Sequence, residues 1–229
     1  MVCKEISFVA TRSTGMVGGL LVRAENANSL LVFAHGAGAG MKHPFMEQMS
    51  RGLAANGIAT FRYQFPYMER KSRRPDPKPI LLATVRSALS RAQEELPDLP
   101  LLAGGKSMGG RMTSMAAAES PLAKVRGIVF FGFPLHPAGA PSTERAEHLY
   151  KVSVPMLFLQ GTRDSLADLS LLTPVCTKLG ERASLHVVDG ADHSFHVLKR
   201  SGESDEKILE ELAAVVAGWA WEGPLRYQS

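Results

Sequence analysis

Cysteine is nearly absent: Cys3 and Cys176 are the only two in 229 residues. Two cysteines so far apart make neither a disulfide framework nor a zinc-ligand spacing. Such usage fits a reducing, cytoplasmic compartment. Long hydrophobic runs are also missing; none approaches the ~18 uncharged apolar residues of a membrane helix. The opening Met1-Val2-Cys3-Lys4-Glu5 has neither the apolar stretch nor the cleavage site of a signal peptide, so no membrane partner is expected. Basic and acidic residues nearly balance, 26 against 22, leaving a net of only +4. Basic residues are scattered apart from Arg70-Lys71-Ser72-Arg73-Arg74, and no basic face with interleaved aromatics marks a nucleic-acid binder. That run reads as a solvated loop, and no nucleic-acid partner is expected.

What is present is a core. Apolar residues make up 45% of the chain and charged residues 21%, which excludes disorder as the dominant state. With no internal repeat and no break in composition, residues 1–229 are expected to form a single domain. Continuous apolar runs at residues 29–34, 58–63, 101–104, 127–133, 154–160 and 183–188 read as buried strands. They follow an antiparallel pair at 4–10 and 17–24, joined through Ser13-Thr14-Gly15. Apolar spacings of three and four predict helices over 43–56, 79–96 and 203–219. Strand–helix alternation of this kind implies an α/β fold with a mostly parallel, doubly wound sheet and helices on both faces. Pro66 to Pro79 reads as an exposed irregular connection, and Pro134 to Ser153 has room for about one short helix.

The sharpest chemical signal is Gly105-Lys106-Ser107-Met108-Gly109, lying between an apolar strand and a helix-like stretch over 108–118. This is the context of a nucleophile elbow, in which a serine projects from a turn so tight that the residues two positions to either side, here Gly105 and Gly109, must be small. A phosphate-binding loop would need a glycine where Pro100 stands. Lys106 is then an elbow residue directed toward solvent or a neighbouring loop.

A serine hydroxyl needs an imidazole to take its proton. His193 lies in a loop after the strand at 183–188, at the sheet edge that Ser107 occupies. His196 is the near competitor, and His186, within a strand, reads as structural. Asp164 follows the strand at 154–160 and is the expected orienting acid. Asp168, expected inside a helix, is the second choice, and Asp192 is too close in sequence to face His193. The order Ser107, Asp164, His193 is the order expected of such a triad on this architecture. A fourth loop, His35-Gly36-Ala37-Gly38-Ala39-Gly40, can turn backbone N–H groups inward. Ala37 and Met108 are the expected oxyanion donors, with Gly38 close behind Ala37; His35 reads as structural.

These segments, with Phe61-Arg62-Tyr63-Gln64-Phe65-Pro66-Tyr67 and Gly109-Gly110, resemble the α/β-hydrolase superfamily over residues 4–219. More narrowly they resemble its compact dienelactone-hydrolase-like group, which includes testis-expressed hydrolase-like proteins and a hydrolase-like subunit of a chromatin-acetylation complex. The resemblance implies an α/β-hydrolase fold. Dienelactone hydrolases carry a cysteine where this chain has Ser107, so their substrate does not transfer, and some group members serve as interaction proteins.

The connection 134–153 is too short for a lid domain, so the site should be open. Gly38, Phe65 and Tyr67 are candidate pocket residues, with core packing as the alternative for the two aromatics. Arg62, Arg73 and Arg74 could meet an acidic substrate, although the last two fit a solvated surface better. The leading expectation is a serine hydrolase acting on a small-molecule acyl ester, with no metal or organic cofactor. An interaction module on the same fold, or an acyl transferase with the same triad, remains open, as does the oligomeric state.

Overall fold

The computed structural model describes residues 2–72 and 74–225. Eight strands form one sheet: β1 (Val2–Thr11), β2 (Gly15–Arg23), β3 (Ser29–Ala34), β4 (Ile58–Tyr63), β5 (Leu101–Lys106), β6 (Val125–Phe131), β7 (Met156–Gly161) and β8 (Ala183–Val188). Their order is β1-β2-β4-β3-β5-β6-β7-β8, antiparallel from β1 through β4 and parallel from β4 to β8. Every residue of β3, β4 and β7 is buried, because helices cover both sides of these central strands. The edge strand β1 alternates exposed and buried residues toward its end instead.

Alternation sends successive side chains to opposite faces. Leu30, Val32 and Ala34 join a core with Ala103, Phe130 and Phe158, packed under α3 (Lys78–Glu95), α4 (Met108–Glu119) and α5 (Leu169–Leu179). Leu31 and Phe33 join Leu102, Phe131 and Leu159 on the other face, under α1 (Pro44–Ala55) and α6 (Asp205–Glu222). On α1, Met49 and Leu53 are fully buried, one turn apart on the same stripe. Its start is fixed by Pro44 at the first turn and by His43, whose Nδ1 accepts from the Phe45 N–H.

The chain runs from β3 outward to β4, then returns to place β5 on the other side of β3. Connections leave β3 and β5 in opposite directions, opening a crevice beyond their carboxyl ends. The glycine loop after β3 and the turn after β5 both lie there.

Three local expectations need correction. The connection 66–79 is not wholly irregular: it opens with a one-turn helix, α2 (Pro66–Glu69), in which Pro66 and Tyr67 are buried. Proline suits that first position, since its missing N–H would have no helical partner. Strand β6 stops at Phe131, because Gly132 turns into the left-handed region at φ +73°. Asp168 is the N-cap of α5 rather than an interior residue, its carboxylate accepting from the Ser170 N–H at 2.8 Å. The connection 134–153 contains a short 3-10 helix, Glu144–Lys151, and no lid covers the crevice among the described residues.

Candidate active site

Ser107 sits between β5 and α4 with φ +50° and ψ −117°, a strained conformation for a residue with a side chain. The turn closes because the residues two places to either side, Gly105 and Gly109, have none. A Cβ on Gly105 would stand 2.5 Å from the Ala34 carbonyl oxygen, and one on Gly109 would stand 2.5 and 2.6 Å from those of Ala34 and His35. The Ser107 N–H donates to the Phe131 oxygen at 3.1 Å, anchoring the turn to β6. Met108 opens α4, so its N–H has no carbonyl one turn earlier to bond.

The structure brings Ser107, His193 and Asp164 together in one line. His193 Nε2 is 2.8 Å from Ser107 Oγ, and its Nδ1 is 2.7 Å from Asp164 Oδ2. An ionised carboxylate only accepts, so Nδ1 carries the proton and Nε2 is free to accept from the hydroxyl. Asp164 is 6% exposed, whereas His193 is only partly covered. Two further donors hold the acid: the Leu166 N–H at 2.8 Å from Oδ1, and the Gln160 side-chain amide on Oδ2. Gln160 itself accepts from the Phe133 N–H at 3.0 Å. Sequence reasoning passed over Gln160; its signal was a lone amide in the otherwise apolar run of β7.

The His193 loop is built as tightly as the elbow. A Cβ on Gly161 would lie 2.2 Å from the Ala191 oxygen, so only glycine lets the loop lie against the end of β7. Asp192 accepts from the Ser194 and His196 N–H groups at 2.8 and 3.0 Å, shaping the turn rather than facing His193. Phe195 adopts a left-handed φ of +64° with its ring buried, stacked on Phe45 at 6.0 Å. His196 points elsewhere, its Nδ1 2.8 Å from Asp205 Oδ2. That contact raises the His196 pKa.

The glycine loop crosses the elbow: a Cβ on Gly36 would be 3.8 Å from that of Ser107. Ala37 lines a cavity of about 340 Å³ with Ser107, His193, His43, Phe45 and Leu166. Gly38, Phe65 and Tyr67 do not line it. Phe65 and Tyr67 are fully buried behind the loop, and the Gly38 N–H is taken by the Tyr67 hydroxyl at 3.0 Å. They brace the loop from behind instead of lining the cavity. His35 is a second brace: Nε2 accepts from the Phe65 N–H at 3.1 Å and Nδ1 donates to the Gly36 oxygen at 2.7 Å. Burial pushes its pKa down to about 4, so it is neutral at pH 7.

Arg62 is also structural, buried with Nη1 donating to the Met41 oxygen at 3.1 Å. Arg74 is exposed, and Arg73 lies outside the described residues. Lys106 turns to the neighbouring loop, its Nζ donating to the His193 carbonyl oxygen. A larger hollow, about 590 Å³ between α1 and α6, contains neither serine nor histidine in its lining. Among the described residues, no group of three or more His, Cys, Asp or Glu side chains is placed to hold a metal ion. None of the helices there is long and apolar enough to cross a membrane.

Residues 27–221 match the model of a family described as an alpha/beta hydrolase domain. The solved dienelactone hydrolase of Anabaena variabilis superposes with a TM-score of 0.73 at 21% identity, over 97% of this chain and 99% of that one. An alpha-beta serine hydrolase homologue from Coxiella burnetii gives 0.75 at 17% identity, over 94% and 98%. A Xanthomonas campestris serine hydrolase without a lid gives 0.71 at 17% identity, over 98% and 94%. At these identities the likeness is one of fold. A Mycobacterium tuberculosis protein, provisionally named a phosphoribosyl transferase, is 27% identical over 207 residues. That match takes in 89% of this chain but only 43% of the length of that curated relative.

Proposed function

The chain belongs to the alpha/beta hydrolase domain family, and from that membership we propose that it is a serine hydrolase acting on a small acyl ester or related carbonyl compound. The observation that carries this reading is the unbroken relay Asp164–His193–Ser107, with contacts of 2.7 and 2.8 Å. A buried carboxylate, an imidazole in a single tautomer and a strained serine have no use in a pure interaction module. Together they are what a nucleophilic hydroxyl requires.

In this scheme Ser107 Oγ attacks the substrate carbonyl while His193 Nε2 takes its proton. Asp164 keeps the imidazole oriented and stabilises the imidazolium. The Met108 and Ala37 N–H groups receive the oxyanion, each such donor contributing roughly 3–4 kcal/mol to lowering the barrier. His193 returns the proton to the departing alkoxide. Water then attacks the acyl-enzyme with His193 again as base, releasing the acid and restoring Ser107.

The cavity suits a small acyl group. About 340 Å³ walled by Ala37, Ala39, Phe45, Met46 and Leu166 is near the lower end of ligand-pocket sizes. The reading includes one domain over residues 1–229 and a cytoplasmic setting, which free Cys3 and Cys176 favour. The phosphoribosyl transferase name belongs to a protein of which this chain spans less than half. A relay that activates a hydroxyl toward a carbonyl gives no reason to carry that name over.

The test is labelling by a fluorophosphonate probe, read by intact mass, beside hydrolysis of p-nitrophenyl esters of increasing chain length. One adduct on the wild type, none on Ser107→Ala, and fastest turnover with the shortest acyl chains are expected. A folded wild type that takes no label would refute the reading.

A further inference from the structure

Lys106 precedes Ser107 in the elbow, and the scheme above does not use it. Lys106 lines the cavity, and its amine reaches the His193 loop. There Nζ donates to the His193 carbonyl oxygen and faces two aromatic rings, 5.6 Å from the centroid of Phe45 and 5.3 Å from that of Phe195. The same spot adjoins the imidazole. A Cβ on Gly132 would stand 2.9 Å from Lys106 Nζ and 3.3 Å from His193 Nδ1 and Cε1. No carboxylate lies within ion-pair distance of this amine among the described residues.

We propose that Lys106 is a positioning residue, whose ammonium ties the backbone of His193 to the elbow that carries Ser107 and so sets the separation of base and nucleophile. The inference rests on the triad reading above. Ser107 and His193 are 86 residues apart, on loops that leave different strands. Asp164 controls the rotation of the imidazole, because it meets the side chain at Nδ1. It does not fix the height of the His193 main chain above the elbow. Lys106 does, since its own backbone is part of the elbow and its head holds the main chain of the base.

The tie depends on charge. A cationic donor bonds a carbonyl about twice as strongly as a neutral one. Its attraction to the two ring faces also disappears on deprotonation. Burial pulls the Lys106 pKa down to about 8, with Asp164 and Asp192 drawing it back up. The charged and titratable groups facing it are these two carboxylates and His193, with His43 on the cavity wall. The ammonium is therefore present at pH 7 and lost as pH rises through about 8. A neutral general base alone gives a plateau at high pH. A fall on the alkaline side is thus the mark of Lys106, one that simple packing of its stem would not produce.

The experiment is the rate of fluorophosphonate labelling from pH 6 to 10, corrected for probe hydrolysis, on the wild type, Lys106→Met and Lys106→Arg. Methionine keeps the stem and removes the donor; arginine keeps a donor and a permanent charge. The wild-type rate should fall as pH rises through about 8. Lys106→Met should label about 10- to 100-fold more slowly at pH 7, the range for a lost hydrogen bond from a charged group, with no alkaline fall. Lys106→Arg should recover part of the rate and hold it to pH 10. Thermal melting shows whether each variant is folded, and the wild-type profile needs no variant at all. A wild-type rate that stays flat to pH 10, or a folded Lys106→Met labelling at the wild-type rate, overturns the proposal while leaving the triad intact. A wild type that takes no label overturns both.

Discussion

Gly109→Ala tests whether the elbow is built by close backbone approach. The added Cβ would stand 2.5 Å from the Ala34 oxygen and 2.6 Å from the His35 oxygen, both main-chain atoms without rotamer freedom. Even a 3.0 Å separation requires α4 and the end of β3 to part by about 0.5 Å, about half the displacement that costs roughly 100-fold when catalytic groups are misplaced. The parting also falls between the two proposed oxyanion donors, since Ala37 follows His35 in the loop and Met108 precedes Gly109. Labelling of Ser107 should therefore slow about tenfold or more. Overpacking of this kind should cost about 1–3 kcal/mol of stability. That corresponds to a melting temperature lower by about 2–4 °C for each kcal/mol in a domain of this size. Gly218→Ala is the control. Gly218 lies in the interior of α6 with nothing within 4 Å of its added Cβ. There alanine should stabilise by roughly 1 kcal/mol and leave labelling unchanged. If Gly109→Ala melts and labels like the wild type, the account of the elbow as a steric necessity is wrong.

Two further perturbations probe the braces behind the cavity. Tyr67→Phe removes the acceptor of the Gly38 N–H; a brace predicts a loss of about 1–3 kcal/mol with little change in preference among acyl chain lengths. A changed chain-length profile in ester hydrolysis would instead mean that Tyr67 meets the substrate. Stability should also fall on acidification. An unfolded imidazole takes up a proton near pH 6.5, while buried His35 resists until about 4, so the unfolded state gains as pH drops through that window. The loss from pH 7 to pH 5 should be about 2 kcal/mol from His35 alone. His148, pushed down to about 4 by burial and by Arg111, adds in the same direction. Urea midpoints at the two pH values check this, and a His35→Gln variant with an unchanged pH slope would remove His35 as the cause.

Much of this architecture was legible in the residue order because the sheet is parallel and covered on both faces. Such strands are mostly apolar, and β3 and β4 occur, fully buried, at the residues where their runs predict them; β8 also spans its predicted residues, but as an edge strand with Ser184 and His186 in it only Val188 is buried. The triad candidates were legible for a related reason: each loop leaves the carboxyl end of a strand, and parallel strands bring those ends to one edge. Phe65 and Tyr67 were harder. Their position after β4 placed them near the crevice, but nothing in their identity said which side of the glycine loop they would occupy. Burial against His35 and Tyr63, with the Tyr67 hydroxyl on the Gly38 N–H, placed them behind it.

Composition and pattern alone therefore determined an α/β chain with a serine in a tight turn after β5 and two further polar loops at the same edge. These are local matters: apolar runs choose strands, and small residues permit a tight turn. Only the tertiary structure decided that His193 rather than His196 faces Ser107, that Gln160 holds Asp164, and that the Lys106 amine meets the His193 main chain. The reason is that hydrogen bonds act over about 3 Å. Which side chains come that close across 29 or 86 residues is set by how the loops pack, and no spacing along the chain records it.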